Sequence, residues 1–589
     1  MQNRVRVFLR NTNKKGLTLI ELLVVIVILA IIALIATPII LNMINDAKKS
    51  ASKDSAYGYI EAIEYENQMS MLDNKKYQKI NDGEYSDVEE ITNRIKLKGT
   101  KPTSGNITIT NGRVTEAELC IDKYIVKYDG KEASVTGSCN DKILPNYKEE
   151  ILNGADPVIK DDLIPVVIND DGTVTKADLK KEWYKYENKK WANAVILKDT
   201  GKIENDNTIK EESIKEYYVW IPKYAYKLWN VNSNNTEMKE KPIEITFGSK
   251  AKTTGENNGD TYIHPAFTNF NTNGIWVGKY EISYDEETYT NKNTFLTKNP
   301  NTSVTTDSKK LIVKPNVRSL TNKNVSSFFT LIKNSHTNLN SHMMTNMEWG
   351  ATAYLTYSKY GRCNSSTCTE VTINNINTGY YGKSKVFSGQ LEYGTTITGC
   401  AANTVSEAVV SNSSDCANKY NTTKGYLAST TGNITGIYDM SGGSWEYVMG
   451  VLEDSNGNLY SGHSSTYNSG FKGLYGNSGG SNTSGLDFPD KKYYNSYKRS
   501  DAIGTDIWYK YDSGKLGDAT KEIANTKSNS SNEKGLWFSD CANFVSPSYP
   551  FFVRGASWLN NTGAGIFGFG RNEGYLSSGR NSTRSVLAF

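Results

Sequence analysis

The chain has 589 residues and a mass of 65.5 kDa, so it is too long for one ordinary core and favours about two to four structural units. Its 67 Lys and Arg residues nearly balance 63 Asp and Glu residues, leaving a net charge of +4, which argues against a dedicated nucleic-acid-binding protein. A hydrophobic content of 38% excludes a multi-span membrane protein, and 38 tyrosines are too many for a disordered chain.

The first element in chain order is a basic segment followed by an apolar one. Residues 1–16 carry five Arg or Lys and no acid, and the 24 residues from Leu17 to Ile40 contain one charge, Glu21. A helix of that length spans about 36 Å, enough to cross a bilayer core of about 30 Å. The basic flank predicts a single-pass helix in the inner or cytoplasmic membrane, with the rest of the chain outside.

Two residues in the apolar stretch do not fit a plain membrane anchor. A carboxylate such as Glu21 costs several kcal/mol inside a membrane unless it is paired or lies near the interface. Pro38 removes one backbone hydrogen bond and can kink the helix. A functional role for Glu21 is therefore expected, and an unprocessed signal anchor is the simpler alternative.

The string KKGLTLIELL, with Pro38 downstream, resembles the class III signal of type IV prepilins over about residues 11–46. The resemblance implies that prepilin peptidase cleaves between Gly16 and Leu17, and that Leu17 becomes N-methylated. It also implies that Glu21 neutralises the terminal amine of a neighbouring subunit, and that Pro38 is the family's helix-kinking proline. The implied partners are other pilin subunits and the membrane assembly machinery, with display on the cell surface or in a pilus.

The next segment predicts a small pilin-like domain over residues 47–140, after a leader (1–16) and a membrane helix (17–46). One helical face across residues 41–75 would carry Ile44, Ala47, Ala51, Tyr57, Ile60 and Ile63. Alternating residues at 104–139, with the turn dipeptides Asn111-Gly112 and Asp129-Gly130, predict about four antiparallel strands with type I′ hairpins. Cys120 and Cys139 are a candidate disulfide in this sheet, and two separate buried thiols are the alternative.

Residues 141–179 contain three prolines and mixed charge, and they predict a linker. From residue 180 to 589 the chain is aromatic and irregular, with short helices predicted around 320–334 and 343–357. Residues 455–485 are rich in Gly, Ser, Asn and Tyr and predict a long surface loop.

Five strings in this large region carry a second resemblance, namely Trp220-Ile221-Pro222, GIWVGKYEIS (274–283), TNMEWGATAYL (345–355), GIYDMSGGSWEYV (436–448) and FFVRGASW (551–558). Together they resemble the formylglycine-generating-enzyme/sulfatase-modifying family, a variant of the C-type-lectin fold. The implied fold class is α+β: a pilin-like helix with a small antiparallel sheet, followed by a large lectin-like domain. Turn formers and anchors in these strings suggest scaffold roles for Asp439, Trp445, Glu446, Arg554 and Gly555.

Catalysis is not expected from these residues. Oxidase members of that family bind copper through two cysteines near the C-terminus, whereas residues 554–589 contain none. Cys363, Cys368, Cys400 and Cys416 are candidates for loop-closing disulfides instead. No H-E-x-x-H or P-loop string is present. No cofactor or metal site is predicted, although lectin-like folds often hold a structural calcium ion.

The C-terminal segment has the composition of a binding surface, with Trp, Tyr, Asn, Arg and Ser between glycines. Its strings RGASW and AGIFGF also resemble the variable segment of diversity-generating-retroelement target proteins, in which solvent-facing residues are rewritten. The candidate ligand-binding residues are Trp558, Leu559, Asn560, Asn561, Arg571, Asn572, Glu573, Tyr575, Leu576, Ser577, Ser578 and Arg580. An ordinary binding or structural C-terminus is the alternative.

The sequence thus predicts a pilin-like surface protein that presents a lectin-fold domain to an unknown protein or glycan ligand. Two alternatives belong to other classes. A membrane-anchored formylglycine-type oxidase would need a cysteine pair that the C-terminal segment lacks, and a purely structural minor pilin would need only about the first 140 residues.

Overall fold

The structure is a computed structural model that describes residues 19–589 except for residues 74–75, 78, 86–87, 98, 123, 140–154, 161, 229–239, 249–252, 255–258, 297–306, 379–385, 388–389, 392–394, 412, 477–479, 499–513, 521–536 and 576–579. It describes the backbone alone for residues 19–42, 44, 89–90, 138, 386–387, 390–391 and 411. The predicted cleavage residues Gly16 and Leu17 lie outside the described residues. Glu21 and Pro38 lie in the part of a helix that is described by its backbone alone.

The described residues form a mixed α+β protein with mostly sheets and few helices, which confirms the predicted class. The chain divides into two compact units, Met1–Pro145 and Asn146–Phe589. In the part of the chain that was described, no helix combines the length and apolar character needed to cross a membrane.

The first unit contains helices α1 (Leu19–Leu72) and α2 (Val88–Thr92) and strands β1 (Gly83–Tyr85), β2 (Ser104–Thr110), β3 (Arg113–Ile121), β4 (Tyr124–Tyr128) and β5 (Ala133–Ser138). The strands form one antiparallel sheet in the order β1–β2–β3–β4–β5. Helix α1 buries Tyr59, Ile60 and Ile63 in the core of this unit. The Tyr59 hydroxyl donates to the Val88 carbonyl at 2.9 Å and so fastens α2 to α1.

Three details of this unit differ from the prediction. Ala47 and Ala51 are exposed, because the first buried side chain described in α1 is Ser52 and the first apolar core residue is Ala56. Ile44 lies outside the residues with described side chains. The Asn111-Gly112 hairpin is present, with φ of 53° and 73°. At Asp129, however, a four-residue connection replaces the type I′ turn, because the Asp129 carboxylate accepts from the Lys131 and Glu132 amides. Strand β1 was not predicted.

The second unit contains four helices, α3 (Glu287–Thr290), α4 (Lys292–Phe295), α5 (Val325–Lys333) and α6 (Asn346–Thr356), among its described residues. Its described strands are β6 (Ile164–Ile168), β7 (Val174–Lys176), β8 (Asn193–Leu197), β9 (Thr208–Ile209), β10 (Ile214–Pro222), β11 (Tyr224–Lys227), β12 (Glu244–Phe247), β13 (Thr261–Ile263), β14 (Gly274–Gly278), β15 (Ser283–Tyr284), β16 (Leu311–Ile312), β17 (His342–Met343), β18 (Ile376–Asn377), β19 (Val386–Phe387), β20 (Gln390–Leu391), β21 (Cys400–Ala401), β22 (Val410–Ser411), β23 (Asn418–Lys419), β24 (Trp445–Glu453), β25 (Tyr460–Gly462), β26 (Gly473–Tyr475), β27 (Ser481–Asn482), β28 (Asn495–Lys498), β29 (Phe551–Arg554), β30 (Phe569–Asn572), β31 (Asn581–Thr583) and β32 (Ser585–Leu587).

Two sheets dominate the second unit. One has eight strands in the order β17–β32–β14–β10–β8–β6–β7–β9. The other has the order β28–β24–β29–β30, with β31 running parallel to β24. Helices α5 and α6 lie where the sequence predicted short helices. Strands β6 and β7, inside the segment predicted as a linker, belong to the larger sheet. Three strands, β25 to β27, pair within the segment predicted as a loop.

Disulfides are present in both units, as predicted. The structure pairs Cys120 with Cys139 in the first unit. In the second unit it pairs Cys363 with Cys368, and Cys400 with Cys416. Each bond closes a local stretch of chain, with sequence separations of 19, 5 and 16 residues respectively.

A buried carboxylate anchors strand β10 of the large sheet. A bulge between Ile214 and Glu216 inserts Lys215 into the strand. Glu216 is fully buried, with its oxygens at 2.8 Å from His336 Nε2 and 2.6 Å from the Tyr218 hydroxyl. Burial alone would raise the pKa of Glu216, but His336, Lys215 and Tyr218 outweigh it and lower that pKa to about 2. The carboxylate is therefore ionised throughout the ordinary pH range.

We expect Glu216 to make the second unit sensitive to acid. Because its folded pKa is depressed, its contribution is present above the unfolded pKa, near 4.5, and is lost as the pH falls towards 2. Urea unfolding followed by tryptophan fluorescence reports this unit, since all ten tryptophans lie in it. Glu216→Gln should lower the free energy of unfolding by about 3 kcal/mol at pH 7. It should also weaken the fall of that free energy as the pH drops below about 4.5. Glu244→Gln, which changes an exposed carboxylate, is the control. If the free energy of unfolding of Glu216→Gln fell with acid as steeply as that of the wild type, Glu216 would not be the source of the acid sensitivity.

Candidate functional site

The predicted ligand-binding residues lie in two places on the second unit. Trp558 to Asn561 follow β29, whereas Arg571 to Glu573 and Tyr575 lie at and beyond the end of β30. Leu576, Ser577 and Ser578 lie outside the described residues. Arg580 is half-buried just before β31. The structure therefore divides the predicted set between two neighbourhoods.

The first group forms a tight turn rather than an open surface. Trp558 is fully buried, and its backbone N–H donates to the Gly443 carbonyl at 2.8 Å. The Asn560 side-chain oxygen accepts from the Ser557 amide and hydroxyl at 3.0 and 2.9 Å. Asn561 is exposed and Leu559 half-buried, so Trp558 supports the turn from inside while Asn561 faces solvent.

The second group joins residues from two other segments to form what we call the aromatic surface: His463, Tyr467, Tyr549, Arg571, Glu573 and Tyr575. The Arg571 guanidinium lies over the Tyr549 ring at 5.3 Å, and His463 stacks on the same ring at 6.3 Å. Tyr467 meets Tyr575 edge-on at 5.3 Å. Tyr467 is 47% exposed and Tyr549 38% exposed, so large ring area faces solvent.

The backbone beneath the aromatic surface is held by strand pairing and one buried hydroxyl. Arg571 is opposite Phe552 in the β29–β30 ladder. The buried Tyr447 hydroxyl donates to the Asn572 side-chain oxygen and lies 3.2 Å from the Tyr575 carbonyl. Asn572 thus fixes the chain where it leaves β30 and turns towards Tyr575.

Charge on the aromatic surface is mixed. Burial raises the pKa of Glu573, and the nearby His463 acts in the opposite direction. Arg571 supplies a positive charge beside Tyr549. Rigid tyrosines beside adaptable polar groups are the composition of protein-binding loops such as antibody paratopes. The arrangement can therefore offer ring stacking, hydrogen bonding and charge pairing within one surface.

Sequence reasoning missed His463, Tyr467 and Tyr549. Tyr467 and His463 lie in the segment predicted as a plain surface loop, and Tyr549 lies in a turn closed by hydrogen bonds between Ser546 and Tyr549. The enrichment of residues 455–485 in Tyr and Gly was the available signal. Only the fold brings these segments beside β30.

The predicted scaffold residues surround a buried ionic network. Glu446 accepts from Arg584 Nε at 3.0 Å and from its Nη2 at 2.5 Å. The same guanidinium donates to the carbonyls of Gly278 and Tyr438 at 2.7 and 2.9 Å. Burial raises the pKa of Glu446 to about 7 although Arg584 opposes it. Arg584 thus links two sheets and the turn before β24 through its hydrogen bonds. The sequence analysis did not identify this residue.

Asp439 and Glu281 complete this network. Asp439 has a positive φ of 63° and accepts from the Asn374 amide and the Gly399 N–H at 2.8 and 2.9 Å. Glu281 accepts from the Ser444 N–H at 2.7 Å. Burial, followed by the charges of Glu446 and Asp439, raises the pKa of Glu281 well above its usual range. Burial and the neighbouring acids therefore favour the neutral form of Glu281.

The remaining scaffold residues pin loops. Arg554 donates to the Asp518 and Ala519 carbonyls at 3.1 Å each, and Gly555 has a φ of 79° that disfavours other residues. Trp445 is half-buried at the start of β24. Among residues with described side chains, no group of three or more His, Cys, Asp or Glu is arranged to hold a metal ion.

Comparison with known protein families identifies one motif. Residues 11–37 match the model of the prokaryotic N-terminal methylation motif. A search of curated proteins gave no match to the chain. The match covers the string on which the prepilin resemblance rests, and it belongs to the first unit, whereas the aromatic surface belongs to the second.

We expect Arg584→Lys to destabilise the second unit by about 3 kcal/mol, because a lysine keeps the charge but cannot reproduce the fork of donors, so buried acceptors among Glu446 and the carbonyls of Gly278 and Tyr438 lose their donors. Urea unfolding followed by tryptophan fluorescence measures this. The half-buried Arg571→Lys is the matched control and should change stability by less than about 1 kcal/mol. Equal effects of the two changes would show that Arg584 is not the anchor.

Proposed function

We propose that this protein is a pilin-like, surface-displayed binding protein. The single observation that carries the proposal is the match of residues 11–37 to the N-terminal methylation motif. In this proposal prepilin peptidase cleaves after Gly16, Leu17 is methylated, and Glu21 neutralises the amine of a neighbouring subunit. An unpaired carboxylate is costly in lipid, whereas the amine of a neighbouring subunit would neutralise it. This pairing favours a position for Glu21 inside a filament.

The second unit is proposed to have a C-type-lectin-like fold. The five strings that carry this resemblance support it by their placement. Trp220 and Trp276 are directly opposite in the β10–β14 ladder, and Glu446 is opposite Arg554 in the β24–β29 ladder. The string TNMEWGATAYL forms α6, capped by Thr345 and Glu348. Motifs that are far apart in the sequence are thus paired in two sheets. This supports the proposal that they belong to one scaffold.

We propose binding rather than catalysis for this unit. Six of the seven cysteines form disulfides, and the segment after Arg554 contains no cysteine, so the copper chemistry of the oxidase relatives lacks its ligands. A unit of more than 400 residues would crowd a filament shaft, which favours a tip or sparse position over a purely structural role.

The aromatic surface is the proposed contact with a protein or glycan ligand. Its exposed rings give large contact area at small entropic cost. Diversification of this segment is compatible with the proposal, since its half-buried and exposed residues interleave with buried scaffold residues such as Trp558. A near-identical template repeat beside a reverse-transcriptase gene is the genomic signature of that process.

The N-terminal part of the proposal is tested by mass spectrometry of the native protein. The expected mature form begins at a methylated Leu17. Glu21→Ala should leave membrane insertion intact and strongly reduce incorporation into filaments, because the carboxylate no longer meets the neighbouring amine. Glu61→Ala, which removes an exposed carboxylate from the same helix, is the control. An intact Met1, or normal incorporation of Glu21→Ala, would refute the filament role.

The binding part is tested with a combined variant of the aromatic surface, Tyr467→Ala with Tyr575→Ala. We expect it to lose at least about tenfold in affinity for ligands found by glycan-array and extracellular-protein screens, since tyrosine side chains are frequent energetic anchors of such contacts. Tyr65→Ala removes an exposed ring from the first unit and should bind like the wild type. Ligands that bind both variants equally would place the contact elsewhere.

A further inference from the structure

The second unit contains a cleft of about 520 Å³ beside the start of β8, which we call the β8 cleft. It is lined by residues from three segments of the chain, 166–170, 182–193 and 433–435. None of these residues belongs to the aromatic surface. The volume lies within the range of about 300–1,000 Å³ that small-molecule sites occupy, so the chemistry of the lining decides which class of molecule the cleft suits.

Hydrogen bonds between the three segments fix the walls of the β8 cleft. The Asn193 side-chain nitrogen donates to the Thr435 carbonyl at 2.8 Å, and the Trp191 backbone N–H donates to the Thr435 hydroxyl at 3.0 Å. The buried Lys279 donates through Nζ to the Asn193 side-chain oxygen at 2.8 Å and to the Ile434 carbonyl at 2.7 Å. A preformed cleft loses little conformational entropy when a ligand binds, which favours its use as a site.

The charged residues that line the β8 cleft balance each other. Two carry carboxylates, Asp170 and Glu182, and two carry ammonium groups, Lys185 and Lys190. Glu182 and Lys185 already form an ion pair at 3.1 Å. A ligand with a net charge therefore gains no overall attraction here. A wholly apolar ligand is disfavoured as well, because it would cover charged groups without giving them hydrogen-bond partners.

The position of the strands disfavours a peptide that binds by strand pairing. Strand β8 lies between β10 and β6, and β6 lies between β8 and β7, so both are interior strands of the eight-stranded sheet. Their backbone groups pair with those of neighbouring strands, whereas strand addition needs an exposed sheet edge. Recognition in the β8 cleft therefore depends on side chains.

The side chains of the β8 cleft offer hydrogen bonds and one large ring. Asp170, Asn188 and Lys190 are exposed, and they provide an acceptor, an amide that both accepts and donates, and a donor. Trp183 is half-buried, and its ring meets the Tyr184 ring edge-on at 4.7 Å. Sugars match this mixture. Each sugar hydroxyl both donates and accepts, and the C–H groups of the sugar ring form an apolar face that packs against an indole.

We propose that the β8 cleft binds a short glycan without net charge. The Trp183 indole packs against the face of one sugar ring, and the side chains of Asp170, Asn188 and Lys190 bind hydroxyl groups directly, so no metal ion is needed. This inference goes beyond the function proposed above, because the β8 cleft and the aromatic surface share no residue and can hold different ligands.

The test measures binding of three neutral trisaccharides, maltotriose, mannotriose and chitotriose, by isothermal titration calorimetry. The full-length protein is kept in a detergent without sugar headgroups, which would otherwise compete. At least one trisaccharide should bind, and neither EDTA nor added salt should change its affinity, because a neutral ligand responds little to ionic screening. Failure of all three to bind, loss of binding in EDTA, or tighter binding of the charged trigalacturonic acid would overturn the proposal.

Variants of the lining locate the site. Trp183→Ala should weaken binding at least about tenfold, and Trp183→Phe, which keeps a ring, should weaken it less. Asp170→Ala with Asn188→Ala removes two exposed side chains and should also weaken binding at least about tenfold, which keeps the test decisive if Trp183→Ala does not fold. Asp199→Ala with Asn205→Ala removes the same residue types from exposed positions outside the cleft and should bind like the wild type.

The aromatic-surface variant Tyr467→Ala with Tyr575→Ala separates this inference from the proposed function. It should bind the trisaccharide like the wild type, whatever its effect on other ligands. Loss of trisaccharide binding in that variant, or unchanged binding in folded variants of the β8 cleft, would overturn the assignment to the cleft. Tryptophan fluorescence in urea establishes that each variant is folded.

Discussion

The second unit depends on the guanidinium of Arg584. This side chain is fully buried and lies between β31 and β32, where the chain passes from one sheet to the other. Its donors reach Glu446 in β24, the Gly278 carbonyl at the end of β14, and the Tyr438 carbonyl. A buried charge is tolerable only when its partners are complete, so the two sheets must keep their spacing for Arg584 to remain satisfied.

The same constraint explains why acidic residues accumulate around Arg584. Glu281, Asp439 and Glu446 are all buried, and one guanidinium cannot neutralise three carboxylates. Burial resolves the excess by raising their pKa values, so that protons supply what the protein lacks in positive charge. Lys279 is also buried, but it does not neutralise these acids. Its Nζ donates hydrogen bonds to the Asn193 side-chain oxygen and to the carbonyls of Ile434 and Gly436.

Much of the fold could be predicted where the signal is local. The Asn111-Gly112 hairpin, helices α5 and α6 and the presence of disulfides follow from turn chemistry, periodicity and cysteine usage. Long-range partners could not be predicted, since nothing near Arg584 in the sequence points to Glu446, which lies 138 residues away. The complete aromatic surface could not be predicted for the same reason. Arg571 could be predicted as a binding residue from the composition of the C-terminal segment. Tyr549 and His463 become its neighbours only through the pairing of β29 with β30 and the folding of residues 455–485.

The short sequence separation of the three disulfides has a consequence for the export that the proposed function requires. Each of the six paired cysteines has its partner within 19 residues, so in an exported chain both thiols of a pair would emerge from a translocation channel almost together. Oxidation in that order joins neighbours before later cysteines arrive, and no bond waits for the distant C-terminal strands. Cys541 is buried and follows all six paired cysteines in the chain, so in that order of emergence each pair can close before Cys541 appears.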